Sequence, residues 1–589
     1  MKQLISLLLI LTSFACNEMV EKKAEVANND ALHELFSTYW EERMQLFPLE
    51  ATAIGDNRYN NLLPITISES YRNKLLVFYN RYLSESKRIN VSLNEKDLIS
   101  KELFEYEMQI NLDALQFPSH LMPINQFWSF TLEFPQLGSG TGNQPFKTVT
   151  DYTHFLSRMK SFPAWVDTAI ANMRKGIALG YVLPKTLTLK VLPQIKNMCR
   201  ENIDENIFYK PIQNFPSSFS AEDRKMLTSA YREVIANTII SSYAKLYTFM
   251  ETEYVKASRS SSGISALPNG DQYYQYLIRQ FTTTQLSPDS IYKLGLREVD
   301  SLQTEMEKVK NEVQFAGSLQ DFFKYMNEDQ QFYPFKTEKE VLDSFMAIQK
   351  TEELYLKSLF ETNPKTSFEI RQTEAYRAAS ASAEYNAGSE DGSRPGIFYV
   401  PILNPKKFNC VGMETLFLHE AIPGHHYQIS LQQENNELPK FRKFLGYSAY
   451  AEGWALYTET LGKELGLYKN PYQYFGHLSD AMHRAIRLVV DVAIHTKNMS
   501  REDAIRYMKS HERISEEEAT AEIERYMAIP GQALSYKIGQ ITLSEMKAKY
   551  QKQLGKEFKI GAFHTQLLEG GNMPLDVLQK KLALWAKSF

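Results

Sequence analysis

Apolar residues recur along this chain mostly at three- and four-residue intervals. Leu32, Leu35, Phe36, Tyr39 and Trp40 form one such stripe, and Ile291, Leu294, Leu296 and Val299 form another. That period is the one an amphipathic helix shows to a core. Ser500 with Asp503 and Ser515 with Glu518 read as capping boxes, each predicting a helix start. One stretch differs: Ile397-Phe398-Tyr399-Val400-Pro401 is β-rich and follows the turn cluster Asp391-Gly392-Ser393-Arg394-Pro395-Gly396. The pattern predicts a mainly α fold with a small β-sheet. Residues 31–589 contain no linker, low-complexity tract or repeat, so they read as a single catalytic-domain-sized unit of one or two lobes.

Composition narrows the classes. Of 589 residues, 43% are hydrophobic and 23% charged, values that exclude a disordered or collagen-like chain. The net charge of −4 lacks the basic excess of a nucleic-acid-binding protein. Three cysteines, at 16, 199 and 410, are too few for a disulfide framework. The first of them ends a leader: Met1-Lys2, an apolar run from Leu4 to Leu11, then Thr12-Ser13-Phe14-Ala15-Cys16. This predicts a signal peptide over 1–15 and lipidation of Cys16, with 16–30 as a polar tether. The expected product is an exported lipoprotein, anchored by lipid to a membrane and facing the periplasm or the cell surface. An ordinary signal peptide is the simpler alternative.

Seven of the eleven histidines lie between 419 and 511, which concentrates the candidate chemistry there. Leu416-Phe417-Leu418-His419-Glu420-Ala421-Ile422-Pro423-Gly424-His425-His426 begins as an apolar helix and ends in paired imidazoles. In the zinc-protease pattern H-E-x-x-H, two imidazoles stand one turn apart with the glutamate as base. Here Pro423 occupies the fifth position, where it breaks a helix hydrogen bond, and Gly424 permits unusual dihedrals. A bulge there would absorb two residues and bring His425 to His419. On an unbroken helix His426 would lie about 10 Å along the axis from His419, too far for a shared zinc at about 2.0–2.1 Å per bond. His419 and His425 are therefore the predicted ligand pair, with one Zn2+ per chain, and a kinked core helix is the alternative.

A third ligand is expected on a neighbouring helix. Tyr447–Glu459 is apolar or aromatic almost all round, so Glu452 within it reads as a buried carboxylate, which is costly unless paired or metal-bound. Glu459, two turns further along the same face, is a candidate for orienting a ligand histidine; a solvated glutamate accounts for it equally well.

His419-Glu420-Ala421-Ile422-Pro423-Gly424-His425-His426, Glu452-Gly453-Trp454-Ala455 and Pro530-Gly531-Gln532-Ala533-Leu534-Ser535-Tyr536-Lys537-Ile538-Gly539 resemble the hallmarks of a bacterial "domain of unknown function 885" family. The turn cluster at 391–396 and Asp491…His495 match as well. That family is in turn similar to helical zinc peptidases of the thimet-oligopeptidase, angiotensin-converting-enzyme and Taq-type carboxypeptidase groups. The resemblance implies a mainly helical, zinc-peptidase-like fold with a deep cleft, and it supplies no substrate.

A second constellation lies on Ala481–Lys497, where Arg484, Arg487, Asp491 and His495 share one face. In the functional reading Arg487 binds a substrate carboxylate, Asp491 supports the site from behind and His495 donates to an oxyanion. In the other reading Arg487 pairs with Asp491 and His495 is a satisfied core histidine. Tyr536 is a further oxyanion donor. The expected enzyme is a zinc metallopeptidase acting on short peptides, with Glu420 as general base. Gly396, Phe398 and Tyr399 would lie on a strand edge that holds an extended peptide; an internal strand is the alternative. Two other classes stay open: a zinc-dependent hydrolase of a non-peptide amide or ester, and a non-catalytic nutrient-binding lipoprotein.

Overall fold

A computed structural model describes residues 30–89, 93–374, 382–389 and 394–589. The leader, Cys16 and its tether up to residue 29, and Asp391-Gly392-Ser393 of the turn cluster lie outside the described residues. The fold is 69% helix and 3% strand, as the periodicity predicts.

Helix α1 (Asp30–Leu46) buries the whole expected stripe and adds Met44. Helix α2 (Val149–Leu179) opens on a capping box of Thr148 and Asp151. It supplies Phe155, Phe162 and Trp165 to an aromatic core drawn from residues 124–254. Helices α3 (Gly270–Thr282) and α4 (Pro288–Glu312) lead toward the sheet. After the sheet come α5 (Met413–Glu420), α6 (His425–Glu434), α7 (Ser448–Glu459), α8 (Pro471–Thr496), α9 (Arg501–His511), α10 (Glu516–Ala528) and α11 (Leu534–Leu554). Ser500 caps α9, and Ser515 with Glu518 forms the full box on α10.

In α4 the buried face departs from expectation. Ile291, Gly295, Val299 and Met306 face inward, whereas Leu296 is 36% exposed. The reason is a close helix crossing: a Cβ on Gly295 would stand 2.7 Å from Leu488 Cβ on α8. The backbone of α4 packs there, and the neighbouring leucine is turned outward. A similar crossing joins α7 to α11, where a Cβ on Gly539 would lie 1.9 Å from the Ala449 carbonyl oxygen and 2.7 Å from Gly453 Cα.

The sheet has strands β1 (Phe368–Gln372), β2 (Glu384–Asn386) and β3 (Gly396–Val400), ordered β1-β3-β2. Strand β3 runs parallel to β1 and antiparallel to β2. Both its edges are therefore paired, which corrects the expectation that Gly396, Phe398 and Tyr399 offer a peptide-binding edge. Phe398 is fully buried, packed edge-on against Phe345 at 5.3 Å. Gly396 lies under Tyr385, whose hydroxyl would be 2.2 Å from an added Cβ. In register, Tyr399 stands between Arg371 and Glu384. The sheet's role is to back α5, whose Met413 and Phe417 share a core with Phe398 and Val400.

Candidate metal centre

Helix α5 ends at Glu420 and α6 starts at His425, so the expected bulge is a complete break. The chain turns back through Ala421 and Gly424, with ψ angles of −110° and −130°. Only glycine fits at 424, because a Cβ would lie 1.9 Å from the His419 carbonyl oxygen and 2.3 Å from that of Leu418. Trp454, buried on α7, clamps the loop by donating its indole N–H to the Pro423 carbonyl at 2.8 Å. Thr458 ties the same two segments together by donating to the Leu418 carbonyl at 2.9 Å.

This connection brings His419, His425 and Glu452 together. One ligand atom from each lies within 4.8 Å of the others. Glu452 Oε2 stands 3.7 Å from His419 Nε2 and 3.6 Å from His425 Nε2. The two imidazoles are nearly perpendicular, with centroids 4.8 Å apart. His419 Nδ1 bonds Glu459 Oε1 at 2.7 Å, and Glu459 is 2% exposed, so the solvated reading of that residue is set aside. With Glu459 accepting from Nδ1, Nε2 is the ring atom left to face Glu452 and the cluster.

The electrostatics favour a cation. Burial opposes charge on His419, but hydrogen bonds to Glu452 and Glu459 and the charge of Glu420 outweigh it, and its pKa is held up at about 10. Burial likewise opposes charge on Glu452, yet the two histidines hold its carboxyl well below the usual range. A metal ion bound here would take the place of a proton between these groups. Glu420, the last residue of α5, is buried at 8% exposure beside its ligand-candidate neighbour.

His426 points elsewhere. Its Nδ1 lies 2.9 Å from the Tyr385 hydroxyl, its ring packs on Phe368, and burial pushes its pKa down to about 4. The face of α8 is also used differently from expectation. Arg487 donates Nε to the Tyr526 hydroxyl at 3.1 Å and a terminal nitrogen to Glu522 at 3.0 Å. It does not pair with Asp491, whose carboxylate accepts from the Tyr274 hydroxyl at 2.5 Å and from Gly531 N–H at 3.1 Å. Asp491 therefore holds the Pro530-Gly531 turn and supports no ligand histidine. His495 accepts the Ile264 N–H at Nδ1 and donates from Nε2 to the Tyr526 carbonyl, both at 3.0 Å. Burial pushes its pKa down to about 3. Both ring nitrogens are spent on backbone, so the oxyanion role drawn for His495 is withdrawn.

Tyr536 sits in the first turn of α11, half-buried, with the Arg487 guanidinium 4.6 Å over its ring. Sequence reasoning missed His477, whose Nδ1 is 3.9 Å from Glu459 Oε2; its place in the histidine-dense window was the available signal. It also missed the clamp by Trp454, for which composition offers none.

The fold and site together define a mainly helical protein with a partly buried His-His-Glu cluster drawn from three helices. A family model described as "Bacterial protein of unknown function (DUF885)" matches residues 48–582, and the chain belongs to that family. A "putative lipoprotein" from Colwellia psychrerythraea superposes with a TM-score of 0.86 at 25% identity, covering 95% of this chain and 99% of that one. A "putative lipoprotein of unknown function" from Shewanella oneidensis does so with a TM-score of 0.76 at 18% identity, covering 94% and 99%. No curated protein matches the sequence. Among the described residues, no helix is long and apolar enough to cross a membrane.

Proposed function

We propose that this protein is a zinc-dependent hydrolase and that its substrates are peptides. The observation that carries the reading is the convergence of His419, His425 and Glu452 within 4.8 Å. Two imidazoles and one carboxylate leave a tetrahedral zinc one open position, the pattern of a catalytic site. Ligand atoms on bonds of about 2.0–2.1 Å stand about 3.3–3.4 Å apart in a tetrahedron. The Glu452 separations of 3.6 and 3.7 Å lie close to that spacing, and the whole set lies within 4.8 Å.

When bound, zinc would supply Lewis acidity to a scissile carbonyl and to a water molecule. The chain's own groups supply the rest. Glu420 takes a proton from the attacking water and returns it to the departing amide nitrogen as the C–N bond breaks and the water oxygen joins the carbonyl carbon. Glu459 keeps His419 in its orientation. Tyr536 donates its O–H to the developing oxyanion.

Peptide analysis of the purified protein tests this reading. About one zinc per chain, together with digestion of a peptide library, is expected. Protein without zinc, or a zinc-loaded protein that leaves the library intact, refutes it. The leader ending at Cys16 and the two lipoprotein-described relatives support export and a lipid anchor. Cys16→Ser protein that stays with the membrane after a salt wash would refute that anchor.

A further inference from the structure

The connection between α7 and α8, residues 460–470, carries the one aromatic residue with a positive φ among the described residues: Tyr468, at +55°. Side chains other than glycine enter that region at a steric cost, and a bulky ring makes it rarer still. Backbone of this kind persists where its surroundings over-determine it, and it gathers at functional sites. Tyr468 is 6% exposed, so its surroundings are the protein itself.

Three helices hold it. Its N–H donates to Glu414 Oε2 on α5 at 2.6 Å. Its hydroxyl donates to the Glu459 carbonyl, at the end of α7, at 3.0 Å and stands 3.2 Å from Thr415 Oγ1 on α5. Its ring stacks on His477 of α8, with centroids 5.1 Å apart and planes 21° from parallel. Gly462 lies so close that an added Cβ would be 2.1 Å from the ring's Cε2. The ring has little room to take another position.

These contacts converge on the pair behind the candidate metal centre. Thr415 lies one helical turn before His419, on the same side of α5. Glu459, whose carbonyl takes the hydroxyl bond, holds His419 Nδ1 with its carboxylate at 2.7 Å. Its other carboxylate oxygen, Oε2, stands 3.9 Å from His477 Nδ1, a buried nitrogen without a hydrogen-bond partner. The imidazole stacked on Tyr468 therefore also closes the space beside that carboxylate. One phenol thus bolts the end of α7 to α5, one turn away from a ligand histidine. Because α7 also bears Glu452, the same bolt fixes the 3.7 Å between Glu452 Oε2 and His419 Nε2.

Groups that orient a ligand histidine govern metal affinity nearly as much as the ligands do. We propose that Tyr468 is a positioning residue for the candidate metal centre, locking Glu459 against α5 and so setting the angle at which His419 presents Nε2. This role rests on the metal-dependent reading above, and it involves no contact with metal or substrate.

Tyr468→Phe removes the hydroxyl and keeps the ring on His477. Zinc affinity, read by chelator competition, should fall about tenfold, the lower end of the effect of losing ligand support. Co2+ bound in place of zinc should absorb at shifted visible wavelengths. Thr415→Val should weaken zinc in the same way, and Thr415→Ser, which keeps a hydroxyl, should not. Tyr243→Phe is the control, because it also deletes a buried hydroxyl, one that donates to the Thr131 carbonyl at 3.0 Å in the aromatic core of residues 124–254. It should lower the melting temperature and leave zinc affinity and the Co2+ bands alone. In peptide hydrolysis Tyr468→Phe should lower kcat and leave KM, because its effect passes through the metal. Wild-type affinity and bands in Tyr468→Phe overturn the role. Equal changes in Tyr243→Phe also overturn it, since lost stability would then be the cause. Wild-type protein that binds neither ion removes the metal centre and this role with it. The expected losses of affinity without any peptide hydrolysis leave the positioning role standing and remove the peptidase reading alone.

Discussion

Replacing Gly424 with alanine tests the link between the loop and the cluster. The added Cβ would lie 1.9 Å from the His419 carbonyl oxygen, well inside the 3.0 Å that real contacts keep. Gly424 and His419 must therefore part by about 1 Å, and His425, the next residue, moves with them. Metal ligands need placement within roughly 0.5 Å of their productive geometry. Zinc affinity should fall by about 10- to 100-fold, the range seen when ligand support is lost. The overpacking itself costs about 1–3 kcal/mol. Spread over the unfolding entropy of so long a chain, that lowers Tm by only about 1–3 °C, so metal affinity is the sensitive readout. Competition with a colorimetric chelator measures it. Gly446→Ala is the control, because a Cβ there meets nothing within 4 Å. If Gly424→Ala holds zinc as tightly as Gly446→Ala, the loop does not set the ligand geometry and the reasoning fails.

Three further outcomes are expected. Glu420→Gln should keep zinc and fold while peptide hydrolysis drops by at least about 10²; loss of zinc would make Glu420 a ligand, and near-normal turnover would remove it as base. His425→Ala should lose metal and His426→Ala should keep it, since His426 bonds Tyr385 on the sheet side; metal analysis showing the reverse would exchange the two assignments. Burial pushes the Asp491 carboxyl up to about 7, against the lowering effect of its bonds to Tyr274 and Gly531. The native state thus binds this proton more tightly than the unfolded one. Its stabilising contribution is complete below about pH 4 and is lost as pH rises through 7, on the order of a few kcal/mol. Asp491→Asn should flatten that part of the stability profile, and parallel profiles from denaturant titrations at pH 4 and 7 would count against it.

What could be read from the sequence was local. The α1 stripe, the helix starts at Ser500 and Ser515, and the break between His419 and His425 all follow from neighbours within a few positions. Glu452 was visible because a carboxylate in so apolar a helix demands a partner. What could not be read depended on distant segments. Arg487 and Asp491 stand four residues apart, the spacing of a helical ion pair, yet their partners come from α10, α3 and the Gly531 turn. His495 is claimed by Ile264, 231 positions away. Leu296 lost its place in the core because Gly295 admits α8 so closely, a contact that no periodicity encodes. Whether strand β3 was an edge or an internal strand could not be read, because nothing local reveals that β1 and β2 flank it.

The crossing of Gly453 and Gly539 has a mechanical consequence. With backbone against backbone at that point, α7 and α11 leave no compressible side-chain layer between them. Glu452 and Tyr536, borne on these two helices, therefore travel as one solid piece. In the proposed hydrolase, any opening of the cluster would then fall to its other wall. That wall is the α5–α6 elbow and the three strands behind it, where the Trp454 indole bond to Pro423 acts as the latch.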